Sequence, residues 1–207
     1  MDVKTINLLL AEGNIDRDDM WHRIVEMESK AYKFRFEFGL DELPTEPGLI
    51  IIRGPRQYGK STWLDMNLRK SAAEFGKAST YYLNGDEIGT SDELVEEIKN
   101  IYPAYSRDAK VKRLFIDEIT AVPEWEKAVK RIIDQGLFKD VLIITTGSKA
   151  SDLRHGSEKL PGRKGKLPKN EYIFLPISYR EFKFNSKNLY GEKSWIAASG
   201  GSPRSGR

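Results

Sequence analysis

The chain has 207 residues, 39% hydrophobic and 31% charged, with a net charge of +3. That is enough apolar side chain for one full core, and too slight a charge excess to mark a nucleic-acid binder by itself. The absence of cysteine excludes disulfides and thiolate metal sites, and His22 and His155 stand too far apart in sequence to suggest zinc chemistry.

The opening residues, Met1-Asp2-Val3-Lys4-Thr5, lack the basic-then-apolar form of a signal peptide, and no apolar run of about eighteen residues follows. The expectation is a soluble, cytoplasmic chain with no membrane partner. Residues 1–46 read as a mostly helical lead-in, with apolar stripes at Ile6, Leu8, Leu9 and Leu10 and then at Trp21, Ile24, Val25 and Met27. The segment Tyr32-Lys33-Phe34-Arg35-Phe36-Glu37-Phe38 alternates aromatic and charged residues. It fits a half-buried strand or, less commonly, a surface that stacks bases between basic side chains. Leu43-Pro44-Thr45-Glu46-Pro47-Gly48 is a turn-rich link into the next element.

Leu49-Ile50-Ile51-Ile52 is a β-branched strand signal, and Trp63 through Lys70 carries apolar residues at helical spacing. Between them lies Gly54-Pro55-Arg56-Gln57-Tyr58-Gly59-Lys60-Ser61-Thr62, which fits the phosphate-loop pattern G-x-x-x-x-G-K-[S/T]. The chemistry needs that order. Glycines let successive N–H groups turn inward on phosphates, and the following helix directs its positive end at them. Lys60 then reaches the β- and γ-phosphates of a nucleoside triphosphate, Ser61 ligates Mg²⁺, and Arg56 is a further candidate for a phosphate or interface contact. A chance glycine-rich turn is the bland alternative, and the flanking strand and helix weigh against it.

Ala78 through Asn84 reads as a second strand, and Ser91 through Asn100 as a helix with Ser91 as its N-cap. Arg113-Leu114-Phe115-Ile116-Asp117-Glu118 is an apolar run ending in two acids, as expected of a buried parallel strand that delivers carboxylates to the nucleotide end of a sheet. Asp117 would hold Mg²⁺ through its water shell and Glu118 would polarise the attacking water. Alone, such a run is often a strand meeting solvent; downstream of a phosphate loop the signal is much stronger. Val122 through Asp134 is an amphipathic helix capped near Pro123, with Trp125, Val129, Ile132 and Ile133 on one face. Val141 through Ser148 is another apolar strand, ending in hydroxyl residues. Thr146 and Ser148 there suit either γ-phosphate sensing or simple turn chemistry. Glu171 through Pro176 supplies a fifth strand, and the repeated strand–helix alternation predicts a parallel three-layer α/β domain. No Asn-Lys-x-Asp guanine-reading motif occurs, which disfavours a GTPase.

The ordered blocks GPRQYGKST, LFIDEIT with VPEWEKAVKRIID, TTGSKASDLRHGSEKLPGRKGK and LPISYREF resemble the AAA+-type ATPases of archaea and bacteria, from roughly Lys33 to Phe182. The resemblance implies a P-loop NTPase core with a five-stranded parallel sheet in the order 5-1-4-3-2. It places Lys60 and Ser61 in Walker A, Asp117 and Glu118 in Walker B, Ser148 near the sensor-1 position and Arg163 in the Leu-Pro-Gly-Arg block. Expected domains are the lead-in 1–46, an ATPase core 47–183, and 184–207 as the start of a truncated C-terminal region, since Arg204-Ser205-Gly206-Arg207 departs from the family's next block. The basic stretch 159–169 is open to three readings: a solvated loop, a phosphate contact through Arg163 in cis or in a neighbouring subunit of a homo-oligomer, or a DNA backbone contact. The expected function is a Mg·ATP-driven switch on a partner domain or nucleic acid; the alternative is a nucleotide-dependent interaction module that does not hydrolyse.

Overall fold

Runs of β-branched and large apolar residues with no charge on either face can be satisfied only where both faces of a strand are covered. The computed structural model describes residues 1–30, 36–137, 139–148, 160, 162, 165 and 167–175, and it places such runs, at 49–52, 114–116 and 141–144, at the centre of a five-stranded sheet. The strands are β1 (Gly48–Arg53), β2 (Thr80–Asn84), β3 (Lys112–Asp117), β4 (Val141–Gly147) and β5 (Glu171–Ile173). All neighbours pair parallel, in the order β2-β3-β4-β1-β5, which is the 5-1-4-3-2 arrangement. Parallel pairing requires crossovers. Helix α3 (Lys60–Phe75) joins β1 to β2, α4 (Ser91–Ile101) joins β2 to β3, and α5 (Trp125–Asp134) joins β3 to β4.

The period of two along each strand divides the core. Leu49, Ile51, Leu114, Ile116 and Ile143 face α4 and α5, whose Leu94, Ile98, Val129 and Ile132 complete that layer. Ile50, Ile52, Phe115, Leu142 and Ile144 face the opposite way, onto Trp63, Leu64 and Leu68 of α3. Each of these fully buried aliphatic side chains contributes about 1.5–3 kcal/mol of transfer free energy, so the sheet's interior dominates the stability of the fold.

The lead-in supplies α1 (Val3–Glu12) and α2 (His22–Ser29), whose Leu9, Leu10 and Ile24 join the α3 layer together with Trp21. Helix α1 also covers the outer edge of β2. The Asn7 amide donates to the Tyr82 carbonyl and accepts from the Tyr82 N–H, both at 2.8 Å, so one side chain takes the place of a neighbouring strand. An exposed edge would otherwise be a template for aggregation. Buried Arg113 on β3 ties three pieces together, donating to Ser71 Oγ at 2.7 Å and to the carbonyls of Leu43 and Pro44 at 3.1 and 3.0 Å, with Phe75 beneath its guanidinium.

Several boundaries differ from those expected. The N-cap of α4 is Thr90, not Ser91: Thr90 has extended backbone and its hydroxyl accepts from Glu93 N. Strand β2 starts at Thr80 because Ala78 has φ 54° and donates its N–H to Leu10 O at the end of α1. Helix α5 begins at Trp125 after Glu124, whose φ of 53° is incompatible with a helical turn through Pro123. β5 stops at Ile173, although the Phe174 N–H still donates to the Arg53 carbonyl of β1 at 2.7 Å. The described part of the aromatic–charged segment, Phe36 to Phe38, is not a strand. Phe38 is buried against Trp63 and Phe174 at centroid distances of 5.2 and 4.8 Å, and Phe36 packs on Phe174 at 5.4 Å. These rings therefore serve packing, while Tyr32 through Arg35 lie outside the described residues.

Candidate nucleotide site

In a parallel sheet the carboxyl ends of the strands share one edge, so the residues following β1, β3 and β4 converge. After β1 the chain turns through Gly59, whose φ of 93° only glycine adopts without strain, and enters α3. The N–H groups of Tyr58, Gly59, Lys60, Ser61 and Thr62 have no backbone acceptor among the described residues. That leaves a row of donors at the positive end of a sixteen-residue helix. Lys60 folds back over this loop and donates to the carbonyls of Gly54 and Pro55 at 3.0 and 2.8 Å. Burial lowers the Lys60 ammonium's pKa, while the charges of Glu118 and Asp117 work in the opposite sense. Ser61 follows it in the first helical turn, half-buried.

β3 ends at Asp117, which is buried at 4% exposure. Its Oδ1 accepts from the Glu118 N–H at 3.1 Å and from the Thr146 hydroxyl of β4. The same Thr146 oxygen accepts from Glu118 N at 3.1 Å. Thr146 thus clamps both members of the acidic pair, a role beyond the turn chemistry or phosphate sensing weighed from the sequence. Glu118 itself leaves the strand in the left-handed region, φ 46° and ψ 45°, a strained conformation for a non-glycine residue. Gly85 makes that turn sterically feasible, since a Cβ there would lie 2.4 Å from the Glu118 carbonyl oxygen. The Glu118 carboxylate is held by Ser148, through its N–H at 2.9 Å and its hydroxyl, and more weakly by the Thr120 hydroxyl at 3.4 Å. Arg56 of the phosphate loop donates to Ser148 Oγ at 3.2 Å, so a continuous chain of polar contacts runs from loop to acid.

On the other side of Asp117 stands a pair that sequence reasoning missed. Arg23 of α2 donates from Nη1 to both carboxylate oxygens of Asp65 on α3, at 3.1 and 3.3 Å, and the same nitrogen lies 3.9 Å from Asp117 Oδ2. Burial pushes the Asp65 carboxyl up to about 6, outweighing its contact with Arg23. Burial also holds the Tyr82 phenol well above its ordinary range. A cavity of about 70 Å³, lined by Trp21, Arg23, Asp65, Leu68, Tyr82 and Asn84 among others, opens beside this group. The one available signal was the position of Asp65, four residues after Ser61 and so on the same helical face.

These residues fit a Mg-bound triphosphate. The loop offers unpaired donors and a cation, and among the described residues no cluster of three or more metal-ligating side chains exists. Ser61 and Asp117 could therefore complete a magnesium shell only with phosphate oxygens and water, as is usual for this ion. Arg163 lies outside the described residues, as do Lys164 and Lys166. Three of the described residues of the basic stretch have defined contacts. Leu160 is fully buried, Gly165 bridges to Gly48, and Lys169 sits 4.5 Å over the Tyr172 ring.

A family model described as an AAA domain matches residues 46–183. An uncharacterized protein of Methanocaldococcus jannaschii is 25% identical over 197 residues, covering 91% of this chain and 42% of the relative. The chain therefore spans less than half the length of that relative. Among solved structures, a DNA polymerase III gamma subunit-related protein of Thermotoga maritima aligns with a TM-score of 0.50 and 11% identity, over 74% of this chain and 49% of the other. The Aeropyrum pernix Orc1 protein, solved in complex with DNA, aligns at 0.49 and 15%, over 87% of this chain and 52% of that one.

Proposed function

The chain belongs to the AAA domain family, with its three-layer P-loop ATPase fold, and from that premise we propose that it binds Mg·ATP and hydrolyses it as a conformational switch. One observation carries this reading: the phosphate loop and the Asp117–Glu118 pair meet at one sheet edge, joined by the Arg56–Ser148–Glu118 chain of contacts. The loop N–H groups and Lys60 bind and orient the β- and γ-phosphates. Ser61 and Asp117 hold the metal, which neutralises phosphate charge when bound. Glu118 is the general base that orients water, and Ser148 and Thr146 keep its carboxylate and backbone in position. Because Ser148 contacts both Glu118 and the loop's Arg56, phosphate arriving at the loop would be felt at the base, which supports a switch.

The proposal extends to a cytoplasmic setting, to DNA as a partner of the basic stretch 159–169, and to self-association through Arg163. Among the described residues no helix is long and apolar enough to cross a membrane. The deciding experiment is calorimetric titration of Mg·ATP into the parent protein and Lys60→Ala. Loss of binding in a folded variant is expected. Equal affinity would refute the site.

A further inference from the structure

The Arg23–Asp65 pair has no part in the roles just assigned, yet it faces the one oxygen of Asp117 that its neighbours leave open. Asp117 Oδ1 is taken by Thr146 and the Glu118 N–H. Oδ2 accepts no hydrogen bond among the described residues, and the Arg23 guanidinium stands 3.9 Å from it. Asp65, 6% exposed, fixes Arg23 with two contacts, while the Arg23 side chain keeps 35% exposure toward the adjoining cavity. The other polar groups lining that cavity are His22, Tyr82, Asn84 and Glu87. Lys60 supplies the remaining positive charge that Asp117 feels from the loop side.

Two buried carboxylates this close would make a general divalent-cation site if no positive charge stood between them. A guanidinium cannot be deprotonated, so its charge is permanent. We infer that Arg23, held by Asp65, is a positioning residue that keeps Asp117 from taking a divalent cation alone and makes its metal binding conditional on arriving phosphate charge. Free metal approaching Asp117 Oδ2 meets a fixed guanidinium 3.9 Å from that oxygen. Metal carried by a triphosphate arrives with anionic charge of its own, which offsets the positive charge beside Asp117. The site therefore distinguishes Mg·ATP from Mg²⁺, and it does so with a side chain from α2, which lies outside the matched residues 46–183. This inference rests on Asp117 being the metal-holding carboxylate of the proposed ATPase.

The test uses Mn²⁺ without nucleotide, with binding read from the free-ion electron paramagnetic resonance signal and folding checked by circular dichroism. The parent should bind Mn²⁺ at least tenfold more weakly than Arg23→Gln, and adding Asp117→Asn to that variant should abolish the gain. Arg23→Lys keeps the charge and should remain like the parent, a result that a merely structural role would not produce. If Arg23→Gln does not fold, Asp65→Asn is compared with Asp65→Asn/Arg23→Gln, in which position 65 no longer carries a buried charge that needs Arg23; the double variant should bind Mn²⁺ at least tenfold more tightly. Unchanged Mn²⁺ affinity in a folded glutamine variant, an equal gain in Arg23→Lys, or a gain that survives Asp117→Asn would each overturn the inference. Failure of the parent to bind Mg·ATP would instead overturn the ATPase reading, and the nucleotide-free comparison would still decide the role of Arg23.

Discussion

Thr145 and Thr146 are consecutive residues of β4, both fully buried, yet their hydroxyls face opposite layers and very different partners. Thr146 Oγ1 donates to the Asp117 carboxylate and accepts the Glu118 N–H, whereas Thr145 Oγ1 donates to the Ile50 carbonyl at 3.2 Å. Replacing each in turn by valine keeps nearly the same shape and removes only the hydroxyl. A hydrogen bond to a charged group contributes about 1.5–3 kcal/mol and one to a neutral carbonyl about 0.5–1.5 kcal/mol. Thr146→Val also leaves Asp117 Oδ1 with a single donor in a buried setting, which places its cost at the upper end of its range. Urea unfolding should therefore show Thr146→Val destabilised by about 2–3 kcal/mol and Thr145→Val by about 1 kcal/mol. Equal losses in the two variants would refute the claim that Thr146 clamps the acidic pair.

Glu118→Gln preserves shape but removes the basic carboxylate, so it should bind ATP like the parent and release phosphate at least about tenfold more slowly; equal turnover would reject Glu118 as the base. Burial raises the folded-state pKa of Asp65 from 3.8 to about 6, so the folded protein retains a proton that the unfolded chain has released. That contribution to stability is complete below pH 3.8 and is lost as the pH rises through about 6. Asp65→Asn should flatten the fall between pH 4 and 6 by up to about 3 kcal/mol, read from unfolding midpoints across that range. If the stretch 159–169 contacts a DNA backbone, neutralising Lys164, Lys166 and Lys169 together should weaken binding and reduce the slope of log affinity against log salt by about 2–3. Anisotropy with labelled duplex checks this, and an unchanged slope would remove the loop as a DNA contact.

Local chemistry was legible in the chain itself. The phosphate loop announces its residues through glycine spacing, and the apolar runs 49–52, 114–116 and 141–144 announce buried parallel strands because both of their faces are apolar. The Trp125, Val129 and Ile132 face of α5 follows from helical period alone, and all three are buried. Boundaries were harder to place where a contact distant in sequence decided them. Ala78 is drawn out of β2 by Leu10 at the end of α1, and Glu124 enters α5 from a left-handed turn with no side-chain cap.

The sequence by itself determined which side chains can carry phosphate chemistry and which segments must be buried, because both depend on residue type and on periods of two or 3.6. Only the tertiary structure decided who stands beside whom. Inserting β4 between β1 and β3 puts Thr146 and Ser148 between the loop and the acids, although they lie about thirty residues beyond Glu118. Gly85 yields space to Glu118, Asn7 completes the edge of β2, and Arg23 reaches Asp117 across the α2–α3 contact. Each depends on strand order and helix placement, which follow from minimising exposed apolar surface over the whole chain and leave no local pattern to read.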